Sequence, residues 1–75
     1  DLPALEALCQ AHDLLLIEDA CQSLGAAIGE RRSGSFGHAG AVSFFPAKPL
    51  GACGDGGMIF TNDEDAARRM RAIRV

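Results

Sequence analysis

Leu14-Leu15-Leu16-Ile17-Glu18-Asp19 is an unbroken apolar run that stops on two carboxylates. Such a run, over Leu14 to Ile17, reads as a strand buried on both faces with polar groups at its C-terminal edge. Upstream, Leu2, Leu5 and Leu8 recur at helical spacing behind Asp1, a good N-capping residue, and Pro3 is tolerated in a first turn. That helix is expected to end near His12-Asp13, with His12 as its polar tip. Helix followed by buried strand is the half-unit of an α/β fold. In open α/β sheets ligands gather at the carboxyl ends of the strands, so Asp19 stands where a site belongs. Capping of a short helix from Ala20 is the competing account of the same aspartate.

Downstream, Gly25, Gly29, Gly34, Gly37 and Gly40 punctuate a loop or small hairpin with Glu30-Arg31-Arg32-Ser33 as its polar tip. Ala41 to Phe45 reads as a second strand and Gly57 to Thr61 as a third. The link between them is short and holds Pro46, Pro49 and several glycines. A parallel crossover needs a dozen or more residues, usually with a helix, so the third strand is expected antiparallel to the second. Asn62 is the expected cap of a last helix, with Asp63, Glu64 and Asp65 in its first turn. The helical pattern then runs from Ala66 to Val75 without a terminating glycine or proline.

The chain of 75 residues is 48% hydrophobic and 23% charged, which is globular rather than disordered. It is short for a self-sufficient core, and it reads as residues 1–75 of a larger domain. A net charge of -3 and a pI near 5.1 argue against a nucleic-acid binder. Arg68, Arg69, Arg71 and Arg74 are cations suited to the end of a solvated helix. No apolar run is long enough to span a membrane. Cys9, Cys21 and Cys53 are irregularly spaced, with neither a CxxC pair nor zinc spacing, and three free thiols suggest a reducing compartment, the cytoplasm.

The chemistry-bearing side chains fall at element ends: Asp19, Gln22, Ser43 and Lys48. Lys48 sits between Pro46 and Pro49, beside an apolar strand and before Gly54-Asp55-Gly56-Gly57. Desolvation there would favour a neutral, nucleophilic amine; a solvated or phosphate-binding charge is the alternative. A pyridoxal phosphate site needs an amine for the aldehyde, a carboxylate against the ring nitrogen, and a hydroxyl with backbone N–H groups for the phosphate. Lys48, Asp19 and Ser43 are of those types, and Gln22 suits the ring hydroxyl. Each also has a plain structural reading: Gln22 as an exposed turn residue and Ser43 as a small hydroxyl within a strand. The glycine-rich turn lacks the GxGxxG and GxxxxGK[ST] patterns of nucleotide loops. No GxSxG elbow accompanies the serines and histidines, and Glu18 and Asp19, adjacent on a strand, point to opposite sides and do not form a metal pair.

Five segments in order, Ile17-Glu18-Asp19-Ala20-Cys21-Gln22, Gly34-Ser35-Phe36-Gly37, Ser43-Phe44-Phe45-Pro46-Ala47-Lys48-Pro49-Leu50-Gly51, Gly54-Asp55-Gly56-Gly57 and Thr61-Asn62-Asp63, resemble the DegT/DnrJ/EryC1/StrS family of pyridoxal-phosphate-dependent nucleotide-sugar aminotransferases. The resemblance covers nearly the whole chain. It implies part of the large domain of fold type I, the aspartate aminotransferase type, whose α/β sheet is mostly parallel with one antiparallel strand. It assigns Asp19 to the pyridine nitrogen, Gln22 to the ring hydroxyl, Ser43 to the phosphate and Lys48 to the Schiff base. Family members that dehydrate or deoxygenate sugars carry histidine at the lysine position, so Lys48 favours transamination. The resemblance further implies a homodimer with sites at the subunit interface, an amino acid donor, typically glutamate, and a nucleotide-linked keto-sugar as acceptor. Cys21 stands where alanine is common in the family, and His38 where an acidic residue is common. A regulatory protein of the same fold and a plain phosphate-binding α/β module are the competing classes.

Overall fold

The computed structural model describes residues 1–74. Val75, the end of the expected last helical run, lies outside them. The elements run α1 (Leu2–Ala11), β1 (Ile17–Asp19), β2 (Ala27–Ile28), β3 (Arg31–Arg32), β4 (Ala39–Ser43), β5 (Gly57–Phe60) and α2 (Glu64–Ile73).

Asp1 caps α1 by accepting the N–H of Ala4 at 3.1 Å. The helix closes through two reversed bonds, Leu14 N–H to the Cys9 carbonyl at 2.8 Å and Asp13 N–H to that of Gln10 at 3.4 Å. Asp13 supplies the left-handed residue this closure requires, at φ 53°. His12 is thus the C-cap, as expected.

The first strand is shorter and later than its apolar run suggested. It spans Ile17–Asp19, and Leu14, Leu15 and Ile17 are exposed, Ile17 by 71%. Among the described residues β1 pairs only with β4, so one of its edges is open there and nothing described covers those side chains. An apolar run reports what a strand is built to face; it does not locate the strand's hydrogen-bonded part.

The main sheet has the order β1-β4-β5. β1 and β4 are parallel, with Ile17, Glu18 and Asp19 opposite Ala39, Gly40 and Ala41. β4 and β5 are antiparallel, from Gly40 opposite Phe60 to Ser43 opposite Gly57. The direction expected from the short link is therefore correct. The strands themselves sit slightly off the sequence reading, at Ala39–Ser43 rather than Ala41–Phe45 and ending at Phe60 rather than Thr61. Phe44 and Phe45 leave the ladder because the chain turns at Pro46. The crossover from β1 to β4 carries the small β2-β3 hairpin. Arg31 and Arg32 lie in its second strand and not at its tip, which is Gly29-Glu30. The left-handed Gly29, at φ 60°, makes that turn.

Alternation sorts the sheet into two faces. Glu18, Gly40 and Val42 are buried, while Asp19, Ala41 and Ser43 turn the other way. The loop 33–36 crosses the buried face. A Cβ on Gly40 would run into the Gly34 carbonyl, so glycine is required at the crossing. We expect Gly40→Ala to destabilise the full-length protein by about 1–3 kcal/mol, the range for overpacking, seen as a lower urea midpoint with an unchanged slope.

The last helix is capped by Asp63, which accepts the N–H of Ala66 at 3.0 Å, and not by Asn62. Thr61 decides this. Its Oγ1 donates to the His38 carbonyl at 2.8 Å and accepts the Asp63 N–H at 3.1 Å, which shifts the helix start by one residue. Glu64 and Asp65 occupy the first turn, where the helix dipole favours them.

Candidate active site at the carboxyl ends of two parallel strands

Asp19 is the last residue of β1 and Ser43 the last of β4. Because Asp19 is in register with Ala41, and Ser43 follows two residues on, both side chains leave the same face of the sheet at its carboxyl end. Ser43 was expected within its strand; it ends it. Its Oγ accepts the N–H of Phe45 at 3.2 Å, which leaves the hydroxyl hydrogen available to a ligand.

No helix begins at Ala20. The N–H of Cys21 donates to Asp19 Oδ1 at 3.1 Å, and the chain turns on the Ser23 N–H to Ala20 carbonyl bond at 3.2 Å. Asp19 thus caps a turn, with its carboxylate directed by local main chain. Gln22 is exposed on that turn, next to Cys21. The Asp19 carboxyl is held below the usual carboxylate range, first by the adjacent Cys21 side chain, then by the Cys21 N–H bond, and further by the positive charge of Lys48.

Lys48 is half-buried on a compact loop. Its own N–H closes a turn on the Phe45 carbonyl at 2.9 Å, with Pro46 in the position that presets such a turn. Two further bonds tie the neck of the loop: Phe44 N–H to the Gly56 carbonyl and Ala52 N–H to the Phe44 carbonyl, both at 2.7 Å. A Cβ on Gly51 would strike the Pro46 carbonyl, so the loop folds back on itself there. The lysine is carried by a braced support and not by a free tether. Its charge acts on both Asp19 and the Cys21 thiol, so the three groups form one electrostatic cluster.

The structure therefore gathers Asp19, Ser43 and Lys48 at one end of the sheet, with Gln22 on the adjoining turn. A hollow of about 1190 Å³ lies elsewhere, against Met58, Phe60, Ala67 and Met70. None of the four residues borders it, and a widely open hollow lined mainly by carbon is weaker grounds for chemistry than converging polar groups. Among the described residues no group of three metal-ligating side chains is close enough to hold a metal ion, and no helix is long and apolar enough to cross a membrane.

Sequence reasoning missed one organising residue. Glu18 is only 6% exposed, and its carboxylate accepts the N–H groups of Gly34 at 2.7 Å and Phe36 at 3.1 Å. Since Glu18 and Asp19 point to opposite faces, one had to turn inward, which was the available signal. Cys21 adjoins the site in the sequence, but its N–H bond to Asp19 carried no signal there.

Mixed sheet, short antiparallel return and a lysine loop after the middle strand make a small α/β unit that matches solved aminotransferase structures. The model of the DegT/DnrJ/EryC1/StrS aminotransferase family matches residues 1–75, and the chain belongs to that family. It is 50% identical over 74 residues to the UDP-N-acetyl-3-dehydro-alpha-D-glucosamine 3-aminotransferase of Acidithiobacillus ferrooxidans, covering 99% of this chain and 20% of that protein. It is 49% identical over 75 residues to a pleiotropic regulatory protein of Geobacillus stearothermophilus, covering 100% and 20%. The crystal structure of a family aminotransferase from Brucella abortus superposes with a TM-score of 0.94 at 45% identity, over 97% of this chain and 20% of that one. The chain spans about a fifth of the length of the curated relatives it matches.

Proposed function

We propose that the full-length protein is a pyridoxal-phosphate-dependent aminotransferase that moves an amino group from an amino acid, glutamate by preference, to a keto-sugar linked to a nucleotide. The carrying observation is the meeting of a carboxylate held as an anion, a hydroxyl and a braced lysine at the carboxyl end of two parallel strands. That donor set fits the cofactor. An anionic Asp19 suits a protonated ring nitrogen, the free hydrogen of Ser43 Oγ suits a phosphate oxygen, and Gln22, exposed on the adjoining turn, is of the type to meet the ring hydroxyl. Pyridoxal phosphate, when bound, supplies an aldehyde reactive toward amines and a ring that takes up electrons.

The chain's own residues do the rest. Lys48 Nζ is the amine that would hold the aldehyde and, once released, would carry the proton from the donor's α-carbon to the former aldehyde carbon, so that the amino group stays behind when the keto acid leaves. Asp19 keeps the ring nitrogen protonated. The segment is read as residues 1–75 of a fold type I large domain, whose sheet is mostly parallel with one antiparallel strand. The whole enzyme is read as a cytoplasmic homodimer, a setting that suits the free Cys9, Cys21 and Cys53.

The test is borohydride reduction of the full-length protein with pyridoxal phosphate, followed by peptide mass mapping. Label on Lys48 supports the reading; a folded protein with none favours the phosphate-binding module. A regulatory role has one observation behind it, the similarity to the Geobacillus regulatory protein. Glutamate-dependent loss of the bound aldehyde's absorbance separates the two, because a non-transaminating protein leaves it unchanged. Asp19→Ala is expected to keep borohydride-fixed label on Lys48 while turnover falls about 10²–10³-fold, the usual loss for one preorganised electrostatic group. A fall below tenfold by kcat would remove Asp19 from its role.

A further inference from the structure

We propose that Cys21 is a positioning residue for Asp19, its main-chain N–H and its thiol together fixing the direction of the carboxylate at the end of β1. The N–H donates to Asp19 Oδ1 at 3.1 Å. The thiol is half-buried and donates to the Ala41 carbonyl at 3.8 Å, and Ala41 is the register partner of Asp19. The sulfur therefore bridges from the turn that follows β1 to the strand beside it, across the base of the carboxylate.

The electrostatics agree with this placement. The adjacent Cys21 thiol, followed by the Cys21 N–H, is the main reason that Asp19 is held low, and the adjacent Asp19 is the main reason that the thiol is pushed up. Burial and the Asp19 charge push the thiol the same way, against the weaker opposing pull of Lys48. Only the protonated thiol serves here. A thiolate would set a second negative charge beside Asp19 and would lose its donor. The cysteine is thus a donor and packing group, not a nucleophile. Alanine in its place would keep the N–H bond and lose the bridge to β4. Serine would keep a hydroxyl donor of similar size.

The meaning of this placement rests on the aminotransferase reading; its first test does not. In the full-length protein without added cofactor, alkylation of Cys21 by iodoacetamide is followed by peptide mass in wild type and Asp19→Asn. Removing the neighbouring charge should free the thiolate and speed alkylation about twofold or more. Equal rates overturn the inference. Cys9, half-buried on α1, is read in the same digest. Should its rate rise too, the variant is unfolded and the second measurement decides.

That measurement is the pH titration of the visible absorbance of bound pyridoxal phosphate in wild type, Cys21→Ala and Cys21→Ser. Alanine should shift the midpoint and serine restore it, which loss of packing alone does not do. Identical curves for all three overturn the inference. Failure of wild type to carry label on Lys48 overturns the aminotransferase reading instead, and the alkylation rates then decide Cys21 alone.

Discussion

Lys48→Ala in the full-length protein should lower transamination by at least about 10³-fold, within the range set by loss of a positioned acid-base group, and should abolish borohydride-fixed label on that peptide. The two losses have one cause. An amine is needed both to hold an aldehyde and to move a proton, and alanine does neither. Lys48→Arg makes the sharper test. Arginine keeps the charge, so a lysine that only contacts phosphate tolerates the change, while one that must be a neutral nucleophile does not, because guanidinium stays protonated. The loop around Lys48 is held by main-chain bonds of Phe44, Phe45 and Ala52 that do not involve the side chain. Both variants should therefore fold like wild type. Substantial turnover by Lys48→Ala, or wild-type turnover by Lys48→Arg, would sink the assignment and favour the binding module.

How much of this was legible in the sequence differs by element. The antiparallel return of β5 was readable because the expected link, residues 46–56, has eleven residues and two prolines, short of the dozen a parallel crossover needs. The α1 cap was readable because Asp1 precedes a leucine repeat. Strand limits were not, since hydrogen bonding and not apolarity sets them: Leu14 and Leu15 look like strand, yet the ladder starts at Ile17. The cap of α2 moved to Asp63 because Thr61 is bound to the His38 carbonyl, a contact 23 residues away that no local pattern encodes. Asp19, Ser43 and Lys48 were legible as chemical types at element ends. Their common face follows from a β1-β4 register that only the folded chain supplies. Glu18 was half legible, as one of two neighbouring carboxylates of which one had to face inward.

That inward carboxylate carries the other large effect. Glu18→Ala should destabilise the full-length protein by about 2–6 kcal/mol, taking about 1–3 kcal/mol for each buried donor left unpaired. Glu18 Oε1 accepts the Gly34 N–H at 2.7 Å and the Ser33 hydroxyl at 3.4 Å, and Oε2 accepts the Phe36 N–H at 3.1 Å. The Ser33 hydroxyl is also 2.5 Å from that of Ser23, which links the clamp to the turn carrying Gln22. Three donors converge on one carboxylate, so glutamine is a poor substitute: its amide nitrogen would face an N–H. Glu18→Gln should therefore fall between wild type and alanine. The control is Glu6→Ala, which removes the partly exposed ion pair with Arg31 and should cost clearly less than Glu18→Ala. Because Glu18 and Asp19 are consecutive on a three-residue strand, release of the clamp also frees the roll of β1 that aims Asp19. Cofactor affinity should fall along with the urea midpoint in Glu18→Ala and stay unchanged in Glu6→Ala. A Glu18→Ala protein as stable as Glu6→Ala would mean that the loop 33–36 is held by something other than this carboxylate. Stability lost with affinity kept would show that the clamp supports the fold and leaves Asp19 aimed without it.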